Sequence, residues 1–400
     1  MLAHAVLAVA LTSPTPIPGL YTAAGARVYV GPEADPPNEP SVEYFDAKTR
    51  RFGSLKHVSG DTYATTEAPA VTYQLAQPVV TVREDAFTAA DAGGMLGASL
   101  WYADTKAPAK RPTILLVHGA ADESRDMGFM IPYFVAHGVN VVTYDQRGTG
   151  QSAGSWRYSG PESKADDAIA ILQALRDDPR IERNRIGVWG PSNGGWVAPI
   201  VATRYPLAFI ILKSPAAESI EENVLYEIHA DLVERPRFSS DQVDAAMAFE
   251  RAMFAAIAPD ATPDWESVSK QLAQAKTQPW FSLMRIPPDL TLPPPPPVLA
   301  GFRASLIYDP TSTLERVKVP TLAIFGALDK NVDALDSASR LRKAFAIGGN
   351  DTLKIVTFAN ADHLIEASTT GYEATSLTPD RLVASYPEIM VDWLKSLDII

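Results

Sequence analysis

Arg185-Ile186-Gly187-Val188-Trp189-Gly190-Pro191-Ser192-Asn193-Gly194-Gly195-Trp196-Val197 is the stretch on which the fold turns. A strand-like run ends in a G-x-S-x-G pentapeptide. Gly194 and Gly195 then open a segment whose apolar Trp196, Val197, Ile200 and Val201 recur at helical spacing. A strand that turns sharply into a helix needs small residues around the turn, because the two backbones approach closely there, and the turn lifts the serine hydroxyl clear of the sheet. A second match, Gly150-Gln151-Ser152-Ala153-Gly154, lacks that setting. It lies in a glycine-rich loop over residues 146–154, and the following Ser155 to Pro161 cannot begin a helix at the right place. Ser192 is therefore the candidate nucleophile, and Ser152 is not.

Outward from this turn, apolar runs at Thr113 to Val117, Val139 to Tyr144, Ala208 to Leu212, Thr321 to Phe325 and Leu353 to Phe358 alternate with helical patterns. The helices are expected near residues 125–137, 162–177, 194–204, 333–346 and 381–396. That alternation predicts a doubly wound, mostly parallel α/β sheet. Ile114-Leu115-Leu116-Val117 is apolar throughout, which suits a strand buried on both faces. Ahead of this core, short β-rich pieces broken by Gly, Pro, Asn and Asp predict a small accessory region over residues 19–77. One interval breaks the rhythm. About a hundred residues separate Lys213 from Thr321, where a crossover needs one helix. Residues 216–305 thus read as a helical cap insertion, with helices at Ser240 to Ile257 and Trp265 to Ala275, dividing the core into residues 78–215 and 306–400. Pro293 to Pro297 predict an extended polyproline strut of about 15 Å, with a proline-rich docking site as the alternative.

The 400 residues are 46% hydrophobic and 20% charged, which excludes a disordered or fibrous chain. With 47 acidic residues against 35 basic, the net charge of −12 argues against a nucleic-acid or anionic-membrane partner. The absence of cysteine excludes disulfides, thiolate metal sites and a cysteine nucleophile. No segment has eighteen uninterrupted apolar residues, so no integral membrane span is expected. Leu2 to Leu11 is a short apolar run with Ala8 and Ala10 placed as a cleavage site, so residues 1–18 read as a leader for export; a surface-docked tail is the other reading, with a cytoplasmic protein. No metal-ligand cluster or phosphate-binding loop stands out, and no cofactor or metal is expected.

A serine nucleophile needs a base, and six histidines are available. His4 is in the leader, His57 in the accessory region and His229 in the cap; His118 ends a strand and His137 a helix. His363 follows the final strand, where a loop can carry the imidazole over the carboxyl edge of the sheet. The orienting acid is expected after the penultimate strand, where Asp329 comes first; Asp333, which could instead cap the next helix, and Asp362 are the competitors. Backbone amides can stabilise a developing oxyanion, each worth about 3 to 4 kcal/mol when well placed. The amide of Asn193 is one candidate and that of Ala120 the other, with Ala121 in reserve; His118 reads as a prop for that loop.

His118-Gly119, the segment Tyr144 to Ser152, the Ser192 elbow, Asp329 and His363 fall in the order found in the α/β-hydrolase superfamily, which the chain resembles over about residues 78–400. It looks most like bacterial carboxylesterases and related acyl hydrolases with a helical insertion before the strand that leads to the acid. It departs from them in Pro191 and Asn193 on either side of the serine. The resemblance implies that Asp145 and Arg147 brace loops beside the site. The leading expectation is a cofactor-independent serine carboxylic ester hydrolase acting on a small-molecule ester, with Ser192, Asp329 and His363 as its triad. Trp280, Phe281, Leu283 and Met284 are candidates to line its acyl pocket or to pack between cap helices. The alternatives are a serine aminopeptidase, with Glu218, Glu221 and Glu222 holding a substrate ammonium, an acyl-thioesterase, or a binding protein on the same fold.

Overall fold

The computed structural model describes residues 16–23, 25–32, 42–105, 109–120, 123–234, 238–287, 290–372 and 382–400. The run Leu2 to Leu11, and with it the expected leader, lies outside the described residues, as does Ala121.

The first six strands are β1 (Gly19–Ala23), β2 (Ala26–Pro32), β3 (Val42–Asp46), β4 (Phe52–Ser59), β5 (Thr62–Thr65) and β6 (Thr72–Gln74), each antiparallel to the next. Strands β1 to β3 are buried on both faces, whereas β4 to β6 alternate and bury mainly one. Val28, Val30, Tyr44, Leu55, Tyr63 and Tyr73 form a core of their own, while Leu20, Tyr29 and Phe45 face the main body and pack against Phe129 and Tyr133. Gly19 and Leu20 of β1 pair with Thr81 and Val80 of β7 (Val80–Asp91). The accessory strands therefore extend the main sheet instead of standing apart from it.

A long hairpin of β7 and β8 (Gly94–Ala103) leads into parallel strands β9 (Arg111–Leu116), β10 (Asn140–Tyr144), β11 (Ile181–Pro191), β12 (Phe209–Lys213), β13 (Thr321–Gly326) and β14 (Leu353–Phe358). Their spatial order is β7-β8-β10-β9-β11-β12-β13-β14, and β8 is antiparallel to both its neighbours. The central stretches of these strands are apolar because helices cover both faces, whereas the start of β11 and the edge strand β14 carry polar, partly exposed residues. Leu115, Val142, Val188 and Phe325 pack against α2 (Pro161–Ala174), α3 (Gly194–Arg204) and α9 (Ala334–Gly348). Ile114, Val141, Phe209 and Ile324 pack against α1 (Met130–Ala136) and α10 (Glu388–Ser396).

Between β12 and β13 come α4 (Ile220–Glu234), α5 (Ser240–Ile257), α6 (Trp265–Ala275), α7 (Pro296–Leu306) and the short α8 (Thr311–Leu314). Helix α5 starts on a full capping box of Ser239 and Gln242, and α6 on the Asp264 side chain. The expected five-proline strut is not formed. Pro296 and Pro297 occupy the first turn of α7, where a missing backbone N–H costs nothing and a fixed φ suits the helix. The last helix is also shorter than expected, because it begins at Glu388 after Pro387.

Candidate active site

The strand order reverses at β9, whose neighbours are β10 on one side and β11 on the other, so the loops leaving β9 and β11 part there and leave a crevice. The β9 loop carries Gly119 and Ala120, and the β11 exit carries Ser192. A Cβ on Gly119 would lie only 3.9 Å from that of Ser192.

Ser192 has φ +49°, a conformation that a non-glycine residue holds at a cost of about 1 to 3 kcal/mol. Its surroundings enforce it. The Ser192 amide donates to the Lys213 carbonyl at 2.8 Å, and the Gly195 amide donates to the Ser192 carbonyl at 2.8 Å. A Cβ on Gly190 would collide with the Gly194 carbonyl, and one on Gly195 would come within 2.5 Å of Pro215 Cβ. The glycines of the elbow are thus required by close backbone approach.

His363 lies in the loop after β14, only 7% exposed, with its carbonyl held by the Ser214 hydroxyl at 2.7 Å. Its Nδ1 is 2.8 Å from Asp329 Oδ2. The other oxygen of Asp329 accepts the amides of Asn331 and Val332 at 2.8 and 2.9 Å, so the carboxylate is fixed in place. An Nδ1–H donated to a carboxylate leaves Nε2 as the basic nitrogen. The competing acids are engaged elsewhere. Asp333 caps α9 through the amides of Leu335 and Asp336, and Asp362 Oδ1 accepts the amides of Leu364 and Glu366 in its own loop.

Ser192, Asn193, Ala120 and His363 line one cavity of about 820 Å³. No hydrogen bond joins the Ser192 hydroxyl to the imidazole. Such contacts commonly tighten only when substrate is bound. The β9 loop is braced from behind: His118 Nε2 meets the Tyr144 carbonyl at 2.6 Å, and Glu123 Oε2 lies 3.1 Å from His118 Nδ1 and 3.3 Å from the Gly119 amide. Burial pushes the Glu123 carboxyl up, but its bonds to His118 and Gly119 outweigh burial and hold it below its ordinary value. Sequence reasoning missed Glu123; its position five residues after His118 carries no pattern of its own.

Ser152 is buried away from the cavity. Its hydroxyl donates to the Asp145 carbonyl at 2.6 Å and accepts the Gly97 amide at 3.0 Å. Asp145 binds Arg125, and Arg147 binds Asp91 and Asp167.

Two sets of expected contacts are corrected. Trp280, Phe281, Leu283 and Met284 do not reach the cavity: Trp280 and Met284 are buried inside the cap with Phe249, and Phe281 and Leu283 pack on that same cluster. Apolar residues at the centre of a small helical cap are needed to hold its helices together. The apolar wall is instead Met127, Trp156, Trp189, Trp196, Ile220 and Leu306. Nor do Glu218, Glu221 and Glu222 face the cavity. Glu218 is buried on the Ser337 hydroxyl at 2.6 Å, and Glu222 pairs with Arg340. Among the described residues, no group of three or more His, Asp or Glu could hold a metal ion, and no helix is long and apolar enough to cross a membrane.

A family model described as serine aminopeptidase, S33, matches residues 108–274, a stretch that includes the elbow and ends before Asp329. A bifunctional esterase/perhydrolase of Acinetobacter calcoaceticus is 32% identical over 110 residues, 28% of this chain and 37% of that protein. The esterase EstD of Thermotoga maritima is 22% identical over 267 residues, 64% of this chain and 54% of that one. The matches thus span from about a third to about half of these relatives. Among solved structures, the Pyrococcus horikoshii acylaminoacyl peptidase aligns with 16% identity and a TM-score of 0.49, covering 92% of this chain and 56% of that one. Strand order and elbow are those of the α/β-hydrolase fold, and over part of its length the chain resembles esterases.

Proposed function

We propose that the protein is a serine carboxylic ester hydrolase that needs no cofactor. His363 Nε2 accepts the proton of Ser192 Oγ as that oxygen attacks the ester carbonyl. The oxyanion develops against the amides of Asn193 and Ala120. His363 returns the proton to the departing alkoxide, leaving an acyl group on Ser192. Water then attacks, again giving its proton to Nε2, and the second collapse releases the acid and restores the serine. The observation that carries this reading is the buried Asp329–His363 contact on the cavity that also holds a serine at positive φ.

An aminopeptidase is the second reading, favoured by the description of the matching family. It requires a carboxylate free to hold the substrate ammonium, and the cap carboxylate on the cavity, Glu227, is already bound by Arg285 and by Asn331. The test is a panel of nitrophenyl esters from acetate to laurate beside leucine and proline anilides. Ester turnover in the wild type that disappears in Ser192→Ala is the expected result. Cleavage of anilides alone would overturn the esterase reading in favour of the peptidase.

A further inference from the structure

The charges on the cavity wall do not cancel. Four cations, Arg157, Lys164, Lys213 and Arg285, share it with two carboxylates, Glu123 and Glu227. Arg285 pairs with Glu227 at 2.6 Å, Glu123 is bound to His118, and Lys213 is engaged within the protein. Lys164 differs from all of these. It lies in the first turns of α2, 8% exposed, and its ammonium makes no hydrogen bond or ion pair with any described residue. Burial pushes that ammonium down to about 8 against the opposing charges of Glu123 and Asp167, so it remains mostly protonated at neutral pH. Asp167, on the same helix, is held by Arg147. Arg157 is exposed, lies over the Trp156 ring at 5.6 Å and has no carboxylate partner among the described residues.

A charge withdrawn from water without a partner is costly, and it is retained where a ligand supplies the missing partner. Pro161, the first residue of α2, lines the same cavity, so the positive end of the helix adds to the field of Lys164 there. We propose that the substrate carries a carboxylate apart from its scissile ester and that Lys164 receives it, with Arg157 attracting it from the rim. The proposal rests on the esterase reading and narrows its substrate class. Lys164 is the one buried cation without a direct partner, which matches the single charge of a carboxylate, and Arg157 stays exposed at the rim.

The test compares esters that differ only in charge. One pair places the charge on the acyl side, the 4-nitrophenyl monoester of adipic acid against 4-nitrophenyl hexanoate. The other places it on the leaving group, the butyryl ester of 4-hydroxybenzoate against that of its methyl ester. The expected result is a preference of tenfold or more in kcat/KM for the anionic member of one pair, expressed mainly in KM. Lys164→Met should bring that ratio close to one, and Lys164→Arg should restore part of it. No preference in the wild type, or one that survives Lys164→Met, overturns the proposal. If the wild type cleaves no ester, the esterase reading fails on its own, and calorimetric titration with monomethyl adipate then decides the subsite. Heat of binding to the wild type that is lost in a folded Lys164→Met variant supports it, and no binding to the wild type overturns it. Tighter binding of hexyl phosphate than of monomethyl adipate would overturn the carboxylate assignment.

Discussion

Two pentapeptides of the same pattern, Gly150 to Gly154 and Gly190 to Gly194, have opposite fates. In the first, the serine hydroxyl both donates and accepts, and the neighbouring Asp145 is saturated by Arg125 and the Gln151 amide. In the second, the serine is held at positive φ on a cavity wall, its hydroxyl without the hydrogen bond to His363 that catalysis would require. A serine whose hydroxyl is used up in bracing a buried loop is structural, whereas one whose hydroxyl is left on a cavity wall has chemistry in reserve.

The strongest way to break this comparison is to remove each hydroxyl. Ser192→Ala should lower kcat on the best nitrophenyl ester by about 10⁴-fold or more. Ser152→Ala should leave kcat within about threefold while costing about 1 to 3 kcal/mol in urea unfolding, because the buried Gly97 amide loses its acceptor. If the two variants exchange these effects, the assignment of the elbow is wrong.

The aspartates provide the next contrast. Asp329→Asn keeps the shape but removes the carboxylate that fixes the Nδ1–H tautomer, so kcat should fall by about 10⁴-fold with the fold intact by circular dichroism. Asp333→Ala, which removes only the cap of α9, should cost about 1 kcal/mol of stability and leave turnover near wild type.

A smaller effect sharpens the rule outside the site. Glu250 is buried in the cap with Oε2 unpartnered, and burial pushes its carboxyl from 4.5 up to about 7, with Arg285 only partly opposing. The folded state holds this proton to higher pH than the unfolded chain does. Stability should therefore fall as pH rises from about 4.5 through about 7. Glu250→Gln should match wild type near pH 4 and exceed it by on the order of 3 kcal/mol at pH 8, as read by urea midpoints at the two pH values. An equal difference at both would mean that the carboxyl does not titrate in this range.

Much of this molecule was legible in one dimension. The core strands read as apolar runs because both of their faces are covered, and the elbow read as a strand, a small-residue turn and a helix because close approach permits little else at Gly190 and Gly195. The β7–β8 hairpin was not assigned. Its pairing is local, but its burial pattern along β7 is irregular, so no clean alternation marks the strand. The proline run failed as a strut for a related reason: proline suits an extended chain and a first helical turn equally, and only packing decides between them.

The sequence by itself determined the fold class, the choice of Ser192 over Ser152, and Asp329 and His363 as the acid and imidazole to examine, since each of these depends on local backbone demands or on chain order. The tertiary structure alone decided which side chains share the cavity. It moved Trp280 and Met284 into the interior of the cap, engaged Glu218 and Glu222 elsewhere, joined Glu123 to His118, and left Lys164 buried with no hydrogen bond or ion pair to a described residue. A residue's chemical type is local, but whether its charge finds a partner depends on segments far away in the chain, which sequence spacing does not encode.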